Sequence, residues 1–162
     1  MGILQDMAAL RRDRKNLRAF AREWHARNTL ATPSDEPSVF FVIPLISRAR
    51  AADWDQVINN LADTVGSLRA QTSPAWQALI CCQDRPEGIT FDDQVRFVEF
   101  TTPAKPRDGK KLNLDKAPKK DLATQRIAES YDGDGYLFML DADDILHPEL
   151  VEHVVTDNNG TG

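Results

Sequence analysis

Apolar residues recur along the chain with two different periods, and segments of the two kinds alternate. Short apolar runs bounded by turn residues are typical of buried strands. Four such runs occur, at 39–43, 76–82, 95–100 and 136–140, and the polar Arg96 and Glu99 predict a less buried position for the third. Between them, apolar residues spaced three or four positions apart predict helices over 53–70 and 122–130. Strands that alternate with helices predict an α/β fold with a mostly parallel, Rossmann-like sheet flanked by helices.

Residues that favour caps and turns set the expected limits of these elements. Pro44 ends the first strand because it has no N–H for the sheet. Asp53 and Asp121 are the expected N-caps of the two helices. Residues 101–120, rich in Lys and Pro, are expected to form a loop, and Pro148 opens a short last helix as a first-turn proline.

The amino-terminal segment is basic and separate in character. Its apolar spacing predicts an amphipathic helix over 3–29, followed by a linker at 31–38 and the main domain at 39–162. Residues 1–30 carry seven Arg or Lys and three acids, a charge of +4. Such a helix either contacts anionic lipid or a partner protein, or packs on its own domain with its basic face in solvent.

Composition and charge limit the classes of function. The chain has 162 residues, 41% of them hydrophobic and 28% charged, as expected for one globular domain. Its net charge is −5, so the part after residue 30 carries −9, which excludes a general nucleic-acid binder. The sequence has no apolar stretch of about 18–20 residues and no apolar signal core. Cys81 and Cys82 fit buried, reduced thiols, so we expect a cytoplasmic protein, membrane-peripheral if 3–29 binds lipid.

Polar side chains follow three of the predicted strands. Ser47 comes after the first, Asp84 after the second, and Asp141 and Asp143 after the fourth. In a parallel sheet these strand ends share one edge, where ligands bind in open α/β sheets. On an extended backbone Asp141 and Asp143 point the same way, which suits them to Mg²⁺ or Mn²⁺. The alternative is that these acids serve as helix caps, with Asp144 capping the helix that Pro148 opens, and that Asp84 belongs to an Asp-Arg-Pro turn.

Several of these segments together resemble family-2 glycosyltransferases of the GT-A fold. Val-Ile-Pro at 42–44 resembles the end of that family's first strand, and Gln-Thr at 71–72 resembles the end of its first helix. The segment 76–84, ending in Asp, resembles its second strand, and Asp-Ala-Asp at 141–143 resembles its Asp-X-Asp motif. The resemblance covers residues 39–155 and implies a GT-A-like sheet that is incomplete.

The resemblance implies that the chain binds a nucleotide-diphospho-sugar together with Mn²⁺ or Mg²⁺, for transfer of the sugar to an acceptor. Pro44 and Ser47 would flank the nucleotide base, and Asp84 would bond the base or the ribose. Asp141 would face the ribose or the metal, and Asp143 would coordinate the metal. The family usually has two acids at the second strand end, where this chain has Gln-Asp, so one carboxylate is missing.

Basic residues precede the strand that carries the acids. Asp115-Lys116-Ala-Pro-Lys119 looks like a short motif found at this position in some relatives. Lys116 and Lys119 are therefore expected to offset the charge of the diphosphate as ammonium donors. The alternative is that each lysine lies in a solvated, flexible loop.

The resemblance also implies a part that the sequence does not show. Family members that invert the sugar use a later carboxylate as general base, in an acceptor-binding half. No candidate base follows Asp144, so the chain is expected to be the donor-binding portion of such an enzyme, with an unknown acceptor. One alternative is a non-catalytic module that binds a nucleotide sugar or a partner. The other is a haloacid-dehalogenase-type phosphatase, whose nucleophile motif resembles residues 140–143.

Overall fold

The computed structural model describes residues 36–101, 116–133 and 135–158. The predicted helix over 3–29, most of the predicted linker and the greater part of the basic loop lie outside the described residues. The described strands are β1 (Ser38–Pro44), β2 (Trp76–Cys82), β3 (Val95–Glu99) and β4 (Gly135–Met139). They form one sheet in the order β3-β2-β1-β4, and every pair in it is parallel. The predicted α/β fold with a parallel sheet is therefore confirmed.

Helices cover both faces of the sheet. They are α1 (Trp54–Arg69), α2 (Lys116–Ser130) and α3 (Leu150–Asp157). Helices α1 and α3 pack on one face, and α2 packs on the other. The crossovers through α1 and α2 run in opposite directions along the sheet, so helices on opposite faces give both crossovers the same hand. Among the described helices, none has the length and apolar character needed to cross a membrane.

Strand β1 lies at the centre of the core because its residues are apolar on both faces. Val39, Phe41 and Ile43 pack on the side of α1, whereas Phe40 and Val42 pack on the side of α2. All five side chains are buried. A parallel strand covered on both faces needs a continuous apolar run, and this is why the sequence pattern alone predicts it.

The limits of the helices agree with the sequence where a local cap defines them. The start of α1 is confirmed, since Oδ1 of Asp53 accepts the N–H of Gln56 at 3.0 Å. Helix α3 begins at Leu150, so the prediction that Pro148 occupies its first turn is wrong. Its own preceding residue, Glu149, makes no side-chain capping bond.

Helix α2 begins earlier than the sequence pattern predicts. Its first residue is Lys116, so the predicted loop over 101–120 extends too far, and Asp121 lies inside the helix instead of capping it. The buried positions of α2 are Lys119, Ala123 and Ile127, at four-residue spacing. A search for apolar residues misses the first of these because that residue is a lysine.

Among the described strands β4 lies at the edge of the sheet, and the prediction that it is buried is wrong. Among the described strands it pairs only with β1, and α2 packs over β1 and β2. Leu137 and Met139, which share the α2 side of the sheet with Phe40 and Val42, are therefore 43% and 45% exposed. On the opposite side, alternate residues of β4 pack against the core beneath α1.

Candidate functional site

The strand order reverses at β1, and this reversal marks a preferred ligand position. From β1 the chain builds β2 and β3 to one side and then returns to place β4 on the other. In open α/β sheets, ligands bind beyond the carboxyl ends of the strands at such a reversal. The carboxyl ends of β1 and β4, which pair in register up to Val42 and Met139, therefore define the candidate site.

Helix α2 brings a positive charge to this edge of the sheet. Its first residue, Lys116, places Nζ 2.6 Å from Oδ1 of Asp141, the second residue after β4. The two side chains are 35% and 51% exposed, so the ion pair lies at the surface. The amino end of an α-helix also carries a partial positive charge that favours anions. The site thus combines a carboxylate with an ammonium group, a mixture that suits a ligand carrying both charges.

The carboxylates after β4 lie on a turn and not on an extended strand. The N–H of Asp141 donates to Oδ2 of Asp144 at 3.1 Å, and the N–H of Asp144 donates to the carbonyl of Asp141 at 3.2 Å. Asp144 therefore closes this turn, and the alternative that it caps the last helix is wrong because that helix begins at Leu150 with Glu149 before it. Asp141 and Asp143 are exposed, but β4 ends at Met139, so the premise that an extended backbone aligns them is wrong.

Asp141 and Asp143 have the chemistry of ligands for a hard divalent cation. Mg²⁺ is commonly held by one or two carboxylates together with phosphate oxygens of a substrate. The residues that the structure describes contain no group of three or more His, Cys, Asp or Glu side chains that could hold a metal ion. Asp141 and Asp143 therefore fit a cation that is also bound by the phosphate oxygens of a ligand. They do not fit a site in which the protein supplies all the ligands of the cation.

Lys119 is buried although it lies only three residues beyond Lys116. Its Nζ donates to the carbonyl of Leu45, just after β1, at 2.6 Å and lies 5.6 Å from the centre of the Phe100 ring. A buried ammonium group is costly unless it is hydrogen-bonded, and the Leu45 carbonyl meets that need. The interpretation as a solvated loop residue is wrong for Lys119, which fixes the end of β1. Its contact with a diphosphate stays a prediction.

The loop after β1 is held by residues at the end of β2. Oδ2 of Asp84 accepts the N–H of Arg48 at 2.8 Å, and Sγ of Cys82 donates to the carbonyl of Ile46 at 3.4 Å. Burial raises the pKa of the Cys82 thiol, so the thiol stays protonated and able to donate. Both cysteines are buried thiols outside any disulfide, as predicted. One carboxylate oxygen of Asp84 therefore already accepts a backbone N–H. The predicted bond of Asp84 to a base or ribose stays a prediction.

Pro44 and Ser47 differ in their surroundings. Pro44 is the last residue of β1, is half-buried and pairs with Cys81. Ser47 is fully buried, and its Oγ has no hydrogen-bond partner in the described part of the chain. A contact between the Ser47 hydroxyl and a nucleotide base therefore requires a change in the loop after β1.

Arg48, which follows the first strand in sequence beside Ser47, makes contacts that the sequence does not predict. Its guanidinium group forms an ion pair with Glu87 at 2.9 Å and lies 5.5 Å from the centre of the Trp54 ring. It therefore links the loop after β1 to the loop after β2. The partners are far apart in sequence, so no local pattern predicts the contact.

Gln71 and Thr72 hold the segment that follows the acidic turn. Nε2 of Gln71 donates to the carbonyl of His147 at 2.8 Å, and its Oε1 accepts the N–H of Val151 at 2.9 Å. The N–H of Thr72 donates to the carbonyl of Pro148 at 2.9 Å. We call these two residues the Gln71 clamp. In sequence, these two residues resemble the end of the first helix of family-2 glycosyltransferases. In the structure, they hold the start of α3 in place.

Five of the seven predicted site residues fall into two groups in the structure. Asp141 and Lys116 are in direct contact, and Asp143 lies on the same exposed turn. Asp84 and Lys119 instead support the loop after β1.

Comparisons of the chain with protein families, curated proteins and solved structures found no match.

Proposed function

We propose that this chain binds a nucleotide-diphospho-sugar with Mn²⁺ or Mg²⁺ between the ends of β1 and β4. In this proposal it is the donor-binding portion of a family-2-like glycosyltransferase with a GT-A-type fold. The observation that carries the proposal is the ion pair between Lys116 and Asp141 at the reversal of strand order. A nucleotide diphosphate with a divalent cation presents both charges, so it is complementary to a site that contains both.

The side chains of the site take roles that follow from their chemistry. Asp141 and Asp143 supply carboxylate oxygens to the cation, which when bound offsets the charge of the leaving diphosphate. Lys116, at the amino end of α2, contacts the diphosphate with its ammonium group. Asp84, at the end of β2, bonds the base or the ribose.

The test is thermal unfolding with UDP, GDP, ADP, CDP or dTDP, each with and without Mn²⁺. At a ligand concentration about 100 times Kd, binding adds about 2.7 kcal/mol to the free energy of unfolding. For a domain of this size, we expect Tm to rise by about 5–10 °C. Asp143→Ala should abolish the rise that depends on Mn²⁺, because it removes a cation ligand while Asp144 still closes the turn.

The matched control is Asp63→Ala, which removes an exposed carboxylate from α1 and should keep the full shift. An equal shift in Asp143→Ala and in the unchanged chain would contradict the cation assignment. No shift with any of the five nucleotides would contradict the proposed function as a whole.

A measurement of nucleotide-sugar turnover distinguishes an enzyme from a non-catalytic binding module. A family-2-like transferase is expected to hydrolyse its nucleotide sugar slowly when no acceptor is present, with release of the nucleoside diphosphate. Binding without any release of the diphosphate, alone or with candidate acceptors, would favour the binding module.

A further inference from the structure

Lys116 forms an ion pair with Asp141, one of the two carboxylates that would hold the proposed cation. Its Nζ lies 2.6 Å from Oδ1 of Asp141, a direct charge-assisted hydrogen bond. An ammonium group and a divalent cation repel each other, so both cannot lie close to this carboxylate at low energy. We propose that Lys116 is an exchangeable counter-ion: it neutralises Asp141 in the empty site and transfers to the diphosphate when nucleotide and cation bind. This inference rests on the proposed function.

The position of Lys116 on α2 allows such an exchange. Its side chain is one-third exposed and that of Asp141 is half exposed, and exposed ion pairs are weak. A lysine side chain also has a flexible four-carbon stem and three donors that can be redirected. One turn later Lys119 is fully buried on the Leu45 carbonyl and lacks this freedom. The start of α2 therefore carries one movable and one fixed ammonium group.

The exchange makes the binding of the two ligands interdependent. Without nucleotide, a cation must displace Lys116 from Asp141, and the displaced ammonium group gains no phosphate partner. With a nucleotide diphosphate present, the same displacement gives Lys116 a stronger anionic partner. Thermodynamic linkage then requires that the nucleotide raise the affinity for the cation and that the cation raise the affinity for the nucleotide by the same factor.

The test is titration of the full chain with Mn²⁺, followed by electron paramagnetic resonance of free Mn²⁺. It is done without nucleotide and with the nucleoside diphosphate that gives the largest shift in the panel above. Lys116→Met removes the competing charge, so we expect it to bind Mn²⁺ alone about three- to tenfold more tightly than the unchanged chain. We also expect the enhancement of Mn²⁺ affinity by nucleotide to be smaller in Lys116→Met by a similar factor.

Lys120→Met, on the same helix, is the matched control and should behave as the unchanged chain. If the unchanged chain binds nucleotide with Mn²⁺, but Lys116→Met has the same Mn²⁺ affinity and the same enhancement, the exchange is wrong and the proposed function stands. If no nucleotide of the panel binds with or without Mn²⁺, both are wrong. Circular dichroism of each variant verifies that its fold is unchanged.

Discussion

Single carboxylates in this chain divide between those that hold the backbone and those that are exposed at the site. Asp53 accepts an N–H at the start of α1, Asp84 accepts the N–H of Arg48, and Asp92 accepts two N–H groups before β3. Among the described residues, the carboxylate of Asp141 instead accepts only from a side chain, the ammonium group of Lys116. In sequence, these residues all follow or precede regular elements. A count of acids near strand ends therefore overestimates the number of ligands.

Asp92 gives the stability of the fold a dependence on pH. Its Oδ1 accepts the N–H groups of Val95 and Gln94, at 2.8 and 3.0 Å, and its Oδ2 accepts from Arg69 at 2.8 Å. These bonds, that of Val95 first and that of Arg69 next, lower the pKa of Asp92 in the folded chain. The resulting stability is fully present above the unfolded pKa of about 4 and is lost as the pH falls through the folded value.

Asp92→Asn should therefore weaken the pH dependence of stability. Asparagine keeps an oxygen for the backbone N–H groups but has no charge for Arg69 and does not titrate. We expect a lower free energy of unfolding near pH 6 and a smaller decrease on going to about pH 3. Urea unfolding at the two pH values measures both. Asp93→Asn changes the adjacent, exposed carboxylate and is the control; a decrease in Asp92→Asn as large as in the unchanged chain would refute the assignment.

At the level of elements, the Gln71 clamp connects the end of α1 to the start of α3. The amide of Gln71 bonds both the carbonyl of His147 and the N–H of Val151. Glu149, the residue before α3, makes no such bond with its own side chain. Gln71 therefore takes the role of a helix cap from a distant part of the chain.

Gln71→Ala should lower the free energy of unfolding by about 1–3 kcal/mol, because the three hydrogen bonds of its amide, with Ser67, His147 and Val151, are lost. Chemical denaturation monitored by circular dichroism measures the change. Gln71→Glu keeps an acceptor for the helix N–H groups and loses only the donor, so its loss should be smaller. Unchanged stability of Gln71→Ala would show that the clamp does not stabilise the fold.

The strands and α1 could be predicted from local sequence, whereas the start of α2 and the burial of β4 could not. Strand β1 is enclosed on both faces, so its environment is uniform and a plain apolar run reveals it. Lys119 can be buried because its ammonium group donates a hydrogen bond to the carbonyl of Leu45, a residue that follows another element. Apolar residues of β4 remain exposed because α2 covers β1 and β2. The burial of Lys119 and the exposure of β4 both depend on contacts with elements that are distant in sequence.

At the scale of the whole molecule, the two faces of the sheet are covered unequally at β4. Phe138 packs towards α1, with its ring 5.6 Å from that of Phe41, whereas Leu137 on the other face is 43% exposed. Adjacent residues of one strand therefore make very different contributions to the core.

Phe138→Ala should lower the free energy of unfolding by about 2–4 kcal/mol, because it removes a ring packed against the core. Leu137→Ala, its matched neighbour, should lower it by less than about 1 kcal/mol. Urea unfolding of both variants measures the difference. The reverse order would mean that β4 is shifted by one residue, since such a shift exchanges the two faces of a strand.

The candidate site could be predicted from sequence only in part. The position of Asp141 after a strand is visible locally, and so is the family-like motif around it. Its contact with Lys116 arises because α2 crosses back over the sheet before β4 and begins at the carboxyl edge. The burial of Ser47 and the bond between Asp84 and Arg48 are likewise set by the fold. Sequence spacing contains none of these distances.

The Gln71 clamp also has a consequence for the order of folding. Helix α3 has eight residues, too few to be stable as an isolated helix in water. Its first turn is completed by a side chain that lies 80 positions earlier in the chain. The stability of this helix therefore depends on Gln71, which follows α1, and on the burial of Val151 against the core. We expect the segment after the acidic turn to be the last part of the described chain to fold and the first to unfold.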